Sequence, residues 1–249
     1  MPLFRCAGEI HYFAHVPKCA GRSVEIYLEA RFGELGFLER DFRAIPLEQR
    51  WSKSSPQHIP ASLAMRLFPA DWIASSFAVV RHPVSRVVSS YNYYLASVRT
   101  IPAALGIEEW FDEYLAFKRR FPYWLDNHLR PQVEMVPEAA AVFRLEDGLG
   151  ALVEHLDHLA GTTTGPREIP HEHGTPTPPG MVKIPLSAAF SSRLEAYYAA
   201  DYRRFGYDPD PARPARVLAP ERRSALALPR LLRHRLKRRA VLMTGRAIT

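Results

Sequence analysis

Glu9-Ile10-His11-Tyr12-Phe13-Ala14-His15-Val16-Pro17-Lys18-Cys19-Ala20-Gly21-Arg22-Ser23-Val24-Glu25-Ile26-Tyr27-Leu28 is the stretch that decides the fold. Its first half sets Ile10, Tyr12, Ala14 and Val16 in period-two alternation, which predicts a strand ended by Pro17. After Gly21, the residues Val24, Tyr27 and Leu28 share one helical stripe that stops near Gly33. The loop His15 to Ser23 therefore lies where the unpaired N–H groups and the positive dipole end of a helix converge, and it is expected to bind an anion. Lys18 adds a mobile positive charge, Gly21 permits close backbone approach, and Ser23 places a hydroxyl at the helix start. The lysine precedes the glycine and no Gly-Lys-Ser/Thr ending follows, so this is not a Walker A loop, which argues against ATP hydrolysis.

The same strand-to-helix pattern recurs. Phe77 to Val80 is a short continuous apolar strand, Pro83 suits a first helical position, and Val84, Val87, Val88 and Tyr91 continue as a helix. Val142 to Leu145 is a third strand, followed by a helix with the stripe Leu149, Leu152, Val153 and Leu156 and with Gly161 beyond its end. Strands alternating with helices predict an α/β fold, a parallel sheet flanked by helices on both faces. Ile107 to Lys118 reads as a helix whose Trp110, Phe111, Tyr114 and Leu115 serve a core, and Thr162 to Pro185 reads as loop. A last helix spans about Ser187 to Phe205, closed by Gly206. Residues 1–207 are thus expected to form one domain, and 208–249 a proline-containing linker with a basic C-terminal tail.

Composition narrows the class. The chain has 249 residues, 47% hydrophobic and 24% charged, which excludes disorder throughout. No apolar run approaches the roughly 18 to 20 residues of a membrane span. Two cysteines, Cys6 and Cys19, make neither a disulfide framework nor a four-ligand zinc site, and the first strand leaves no room for a signal peptide, so a cytoplasmic location is expected. The net charge of +7 is local: from Arg213 to Arg239 there are ten Lys or Arg residues against Glu221 alone, a local +9 that leaves the remainder at −2. A nucleic-acid partner is not expected, because such a reader needs a basic face on its folded body.

Arg81 stands at the carboxyl end of its strand, where open α/β sheets bind ligands, and Ser89 follows eight residues later in the next helix. A guanidinium and a hydroxyl so placed suit a second phosphate. With these residues the chain resembles the sulfotransferases that use 3′-phosphoadenosine 5′-phosphosulfate, in the carbohydrate-type branch with heparan sulfate 2-O-sulfotransferases and bacterial sulfotransferase family 2 proteins. His15 to Ser23 resembles the family's 5′-phosphosulfate loop, and Val80-Arg81-His82-Pro83-Val84-Ser85-Arg86-Val87-Val88-Ser89-Ser90-Tyr91 its 3′-phosphate motif. Weaker similarity extends over Gln57 to Ala61, Arg130 to Gln132, Phe143 to Asp147 and Tyr198 to Tyr207. Arg22 departs from the family, which has a small residue or threonine there.

The resemblance implies a P-loop-type sheet and transfer of a sulfonate from the nucleotide co-substrate to a hydroxyl of an acceptor, a carbohydrate or glycolipid. It assigns Lys18, Cys19, Ala20, Gly21, Arg22, Ser23, Arg81 and Ser89 to the nucleotide, with Lys18 also catalytic. His58, between the two phosphate motifs and set like the family's histidine there, is the candidate general base, ranked above His15, His82 and His128. Asp201 and Glu146 are read as structural acids. The histidines at 155, 158, 171 and 173 complete no recognised ligand spacing, and no metal is expected. Two other classes stay open: a P-loop phosphotransferase, and a non-catalytic module whose basic amphipathic tail binds anionic membrane or nucleic acid.

Overall fold

The computed structural model describes residues 1–171, 177–210, 215–220 and 227–244. His173 of the expected loop, residues 211–214 of the expected linker and 221–226 of the expected tail lie outside the described residues. The strands are β1 (Leu3–Cys6), β2 (Glu9–Phe13), β3 (Ser75–Val80), β4 (Ala141–Arg144), β5 (Met181–Pro185) and β6 (Arg216–Pro220). The helices are α1 (Gly21–Phe32), α2 (Ala61–Leu67), α3 (Pro83–Tyr93), α4 (Ile107–Lys118), α5 (Gly150–Ala160), α6 (Ala188–Tyr197), α7 (Ala199–Phe205) and α8 (Ala227–Thr244). They are shared between two compact units: Met1–Pro83, Asp126–Glu172 and Tyr198–Asp208 make the first, and Val84–Leu125, His173–Tyr197 and Pro209–Thr249 the second.

The first unit is built on a sheet in the order β1-β2-β3-β4. β2, β3 and β4 are parallel, with Phe13 opposite Phe77 and Val80 opposite Arg144, as the alternating pattern predicted. β1 is an antiparallel edge that pairs Leu3 with Tyr12. Its turn, Ala7-Gly8, holds both residues at positive φ, 50° and 87°, the geometry of a two-residue hairpin. β3 is buried along Phe77 to Val80, which is why its sequence is continuously apolar: a central parallel strand has no solvent face. The same reason explains why His11, Tyr12 and Phe13 are all buried despite their alternation in type. Val24, Tyr27 and Leu28 of α1 and Leu152, Val153 and Leu156 of α5 are buried too, each such side chain contributing roughly 1.5–3 kcal/mol relative to exposure.

The second unit gathers the part of α3 from Val84 with α4, α6, the hairpin β5–β6 and α8. The α4 stripe Ile107, Trp110, Phe111, Tyr114 and Phe117 is buried, and the Phe111 ring meets Phe190 and Tyr197 edge-on at 5.7 and 5.4 Å. Three expectations are corrected here. The stretch read as loop from 162 to 185 ends in β5, which pairs antiparallel with β6 from the segment 208–249 expected to be linker and tail. The single helix expected over 187–205 is two, α6 and α7, interrupted at Tyr198. The fold also divides the chain elsewhere than at residue 207, because the basic segment is not an appendage. On α8, His234 pairs with Glu113 and Arg235 with Glu109 of α4, Arg238 lies 4.7 Å over the Trp124 ring, and Leu231 and Val241 are buried. Acids four residues apart on one helix and cations on another select each other only once both helices exist.

Candidate active site

The link from β2 to α1 is held in an unusual backbone conformation. Lys18 and Ala20 have positive φ, 68° and 58°, a left-handed geometry that costs non-glycine residues roughly 1–2 kcal/mol each and recurs at ligand clamps. Ala20 caps α1 without a side-chain hydrogen bond, and the first turn of α1 contains no acid, so its positive end is not neutralised locally. The Arg81 guanidinium donates to the Lys18 carbonyl at 3.3 Å. Burial, the Arg81 charge and, more weakly, Arg43 lower the Lys18 ammonium to about 8. Arg81 and, more weakly, Arg43 thus act on Lys18 as like charges that oppose its ionised form.

Gly21 has a reason that differs from the expected one. A Cβ at this position would stand 1.7 Å from His15 Nε2, so the group that approaches the backbone is the His15 ring. That ring is fixed in turn: its Nδ1 lies 2.7 Å from Glu25 Oε1, it stacks on Phe13, and its edge meets His58 with centroids 4.7 Å apart. Burial lowers the His15 pKa, so the neutral imidazole donates its Nδ1–H to the Glu25 carboxylate. Cys19 and Ser23 are buried and Ala20 half-buried, while the Arg22 side chain is exposed.

The other weakly similar segments meet at the end of β3. Gln132 clasps the Arg81 backbone, its Oε1 accepting from the N–H at 3.0 Å and its Nε2 donating to the carbonyl at 2.8 Å. Gln132 Oε1 also lies 3.5 Å from Cys19 Sγ, so a single amide touches both the Lys18 loop and the Arg81 segment. Asp201, 0% exposed, accepts the backbone N–H groups of Gln132 and Val133 at 2.9 Å each. Glu146 accepts the His82 N–H at 2.9 Å and the Tyr207 hydroxyl at 3.0 Å, and the His82 ring packs edge-on against Tyr202 and Tyr207. Asp201 and Glu146 therefore hold the ends of strands and turns in place. Ser89 is half-buried on α3, within the second unit.

His58 closes a short 3-10 turn, Pro56–His58. Its Nδ1 lies 2.8 Å from Asp126 Oδ2, and Ser55 donates to the same carboxylate from its hydroxyl at 2.8 Å and from its backbone N–H at 2.7 Å. Asn127 Nδ2 donates to the His58 carbonyl at 2.8 Å. Asp126 and Asn127 both have positive φ, 51° and 62°, a strained bend that brings the carboxylate to the ring. Burial opposes the Asp126 charge but is outweighed by His58, His128 and the Ser55 N–H, which hold its pKa well below the usual carboxylate range. An ionised carboxylate donates nothing, so His58 Nδ1 carries a proton, and in the neutral ring Nε2 is the acceptor. Beside it, the His128 ring lies edge-on at 5.2 Å, its pKa depressed by burial and then by His58, with Lys18 and Arg43 acting in the same direction.

His58, Asp126 and His128 place ligand-type atoms within 4.8 Å of one another, a composition that also suits a metal. The Asp126 carboxylate is, however, already taken by three donors. Sequence reasoning missed Asp126 and the bridging role of Gln132. The available signal was slight, an acid two residues before a histidine in Asp126-Asn127-His128 and a glutamine in a segment of weak similarity.

No curated protein and no solved structure matches the chain. A family profile, described as Sulfotransferase family, matches residues 9–136, just over half of the chain and the part that carries Lys18, His58, Arg81, Asp126 and Gln132. With the α/β sheet and this match together, the chain belongs to the sulfotransferase family.

Proposed function

We propose that the protein transfers a sulfonate from 3′-phosphoadenosine 5′-phosphosulfate to a hydroxyl of a saccharide or glycolipid acceptor. The observation that carries this reading is the junction of the two motifs, where the Arg81 guanidinium donates to the Lys18 backbone carbonyl at 3.3 Å and Gln132 bonds both the Arg81 backbone and the Cys19 thiol. In the reaction the acceptor oxygen attacks sulfur in line, the bond from sulfur to the 5′-phosphate oxygen breaks, and adenosine 3′,5′-bisphosphate leaves. Lys18 neutralises the charge that grows on the departing phosphate, assisted by the loop backbone from Cys19 to Ser23. His58 Nε2 takes the hydroxyl proton, and Asp126 orients the ring and stabilises its protonated form. Arg81 holds the 3′-phosphate, the group to which the sequence motif also assigns Ser89. No step calls for a metal. A P-loop phosphotransferase is the weaker reading, since the loop lacks the Gly-Lys-Ser/Thr ending.

The test is calorimetric titration with adenosine 3′,5′-bisphosphate and with ATP. The bisphosphate is expected to bind and to raise the melting temperature, with ATP clearly weaker. A bound anion favours the charged lysine, so the Lys18 pKa, about 8 in the free protein, rises on binding. Binding near pH 8 should accordingly take up protons, seen as a dependence of the heat on buffer ionisation enthalpy, and affinity should fall as pH rises above that value. ATP binding as tightly as the bisphosphate would overturn the donor assignment, and absent proton uptake would remove Lys18 from the anion site.

The proposed setting is cytoplasmic, at the face of an anionic membrane. Among the described residues no helix is long and apolar enough to cross a bilayer. On α8, however, Leu232, Leu236 and Met243 are 50%, 68% and 74% exposed on one side, near Arg239. Such a stripe suits peripheral contact with anionic lipid. Because α8 packs within its unit, substitution is a cleaner test than truncation. A Leu232→Asp/Leu236→Asp variant is expected to lose co-sedimentation with phosphatidylglycerol vesicles, and sedimentation equal to wild type would refute the contact.

A further inference from the structure

Helix α8 divides its cations between two faces. His234, Arg235 and Arg238 face the acids and rings of α4 and its surroundings. Arg230, Arg233 and Lys237, at spacings i, i+3 and i+7, lie on the adjoining face, and none of them pairs with a carboxylate among the described residues. These three side chains, with His234 at the boundary between the two faces, form one wall of a groove of about 770 Å³ that lies wholly within the second unit. Leu95, Ile101, Pro102, Pro178 and Met181 supply its apolar lining, and Arg99 adds a fourth cation. No carboxylate and no Trp, Tyr or Phe lines it among the described residues.

Each property of the groove narrows its occupant. Like charges in a row repel, and an anion seated among them relieves that repulsion and gains charge-assisted hydrogen bonds. The apolar lining gains only if hydrocarbon covers it. A polyanionic saccharide chain would satisfy the cations but leave that lining against hydroxyl groups, with no aromatic face for a sugar ring. The volume falls within the range of sites for small molecules, roughly 300–1,000 Å³. We propose that this groove binds a lipid-type amphiphile, its phosphate head held by Arg230, Arg233 and Lys237 and its hydrocarbon chain lying along Pro102, Pro178, Pro179 and Met181 above the buried Leu95 and Ile101. The site is separate from the α8 stripe of Leu232 and Leu236, and nothing in it depends on the identity of the sulfonate donor.

The experiment uses the full chain and dodecyl phosphate below its micelle concentration, followed by calorimetry. Wild-type protein is expected to bind one molecule. Inorganic phosphate, which lacks the chain, and dodecyl maltoside, which lacks the charge, should each bind at least about 10-fold more weakly. An Arg230→Glu/Arg233→Glu/Lys237→Glu variant alters only exposed side chains and is expected to lose roughly 10²-fold in dodecyl phosphate affinity. The same variant should keep wild-type affinity for adenosine 3′,5′-bisphosphate, so the groove and the nucleotide reading fail separately. The proposal is overturned if the triple variant binds dodecyl phosphate as wild type does, if dodecyl maltoside binds equally well, if dextran sulfate binds more tightly than the alkyl phosphate, or if bisphosphate affinity falls in parallel.

Discussion

Replacing Lys18 by alanine is expected to lower turnover by roughly 10²-fold or more while leaving nucleotide affinity within a few-fold of wild type. The asymmetry follows from where the charge appears. In the bound donor the negative charge is spread over phosphate and sulfonate oxygens, and the ammonium is one of several cationic partners. As the bond to sulfur lengthens, charge concentrates on the phosphate oxygen, and an ammonium already in place without solvent reorganisation matters most at that moment. Arg81→Ala should behave in the opposite way. Its guanidinium is proposed to hold the 3′-phosphate, which does not change during the reaction, so affinity is expected to fall by roughly 10- to 10²-fold with turnover at saturation little altered. Steady-state kinetics together with bisphosphate titration separate the two parameters. If both variants lost affinity alike and kept turnover, Lys18 would be a binding residue and nothing more.

His58→Ala is expected to reduce turnover by roughly 10²- to 10⁴-fold, the range for loss of a positioned general base, with bisphosphate affinity retained. Asp126→Asn is the more discriminating change. An amide at this position keeps a single acceptor oxygen, so it can serve the Ser55 N–H or the Ser55 hydroxyl and His58 Nδ1 but not both groups, and its NH2 opposes the remaining donor and weakens the hold on the Nδ1 proton. Turnover should fall by at least about 10-fold, through loss of the correct tautomer and of charge stabilisation on the imidazolium. A purely structural carboxylate would instead lower thermal stability and nucleotide affinity together. The decisive readout is therefore turnover against bisphosphate affinity and melting temperature measured on one preparation. Wild-type turnover in His58→Ala, once an acceptor is available, would remove both residues from the proposed chemistry.

Local regularities carried a large part of the fold. Period-two alternation ended by Pro17, continuous apolarity at Phe77 to Val80 and the helical stripes of α1, α4 and α5 are short-range patterns, each dictated by the geometry of one element and therefore visible in its own residues. The turn that carries Lys18, Gly21 and Ser23 was legible for the same reason, because it joins a strand and a helix that are each patterned locally. What depends on partners was not. The Ala7-Gly8 hairpin and the β5–β6 pair need their opposite strands to be recognised, and the basic segment read as a tail becomes a packed helix only when Glu109 and Glu113 of α4 stand beside it. At the site, His58 could be nominated by its place between two motifs, but the carboxylate that orients it lies 68 residues away and was named by no spacing rule. Gln132, which joins the Lys18 loop to the Arg81 segment, and His15, whose ring would meet a Cβ at position 21, are likewise facts of proximity. A sequence lists hydrogen-bonding capacity residue by residue; which donor meets which acceptor is decided when distant segments are brought together and their buried polar groups must all be satisfied.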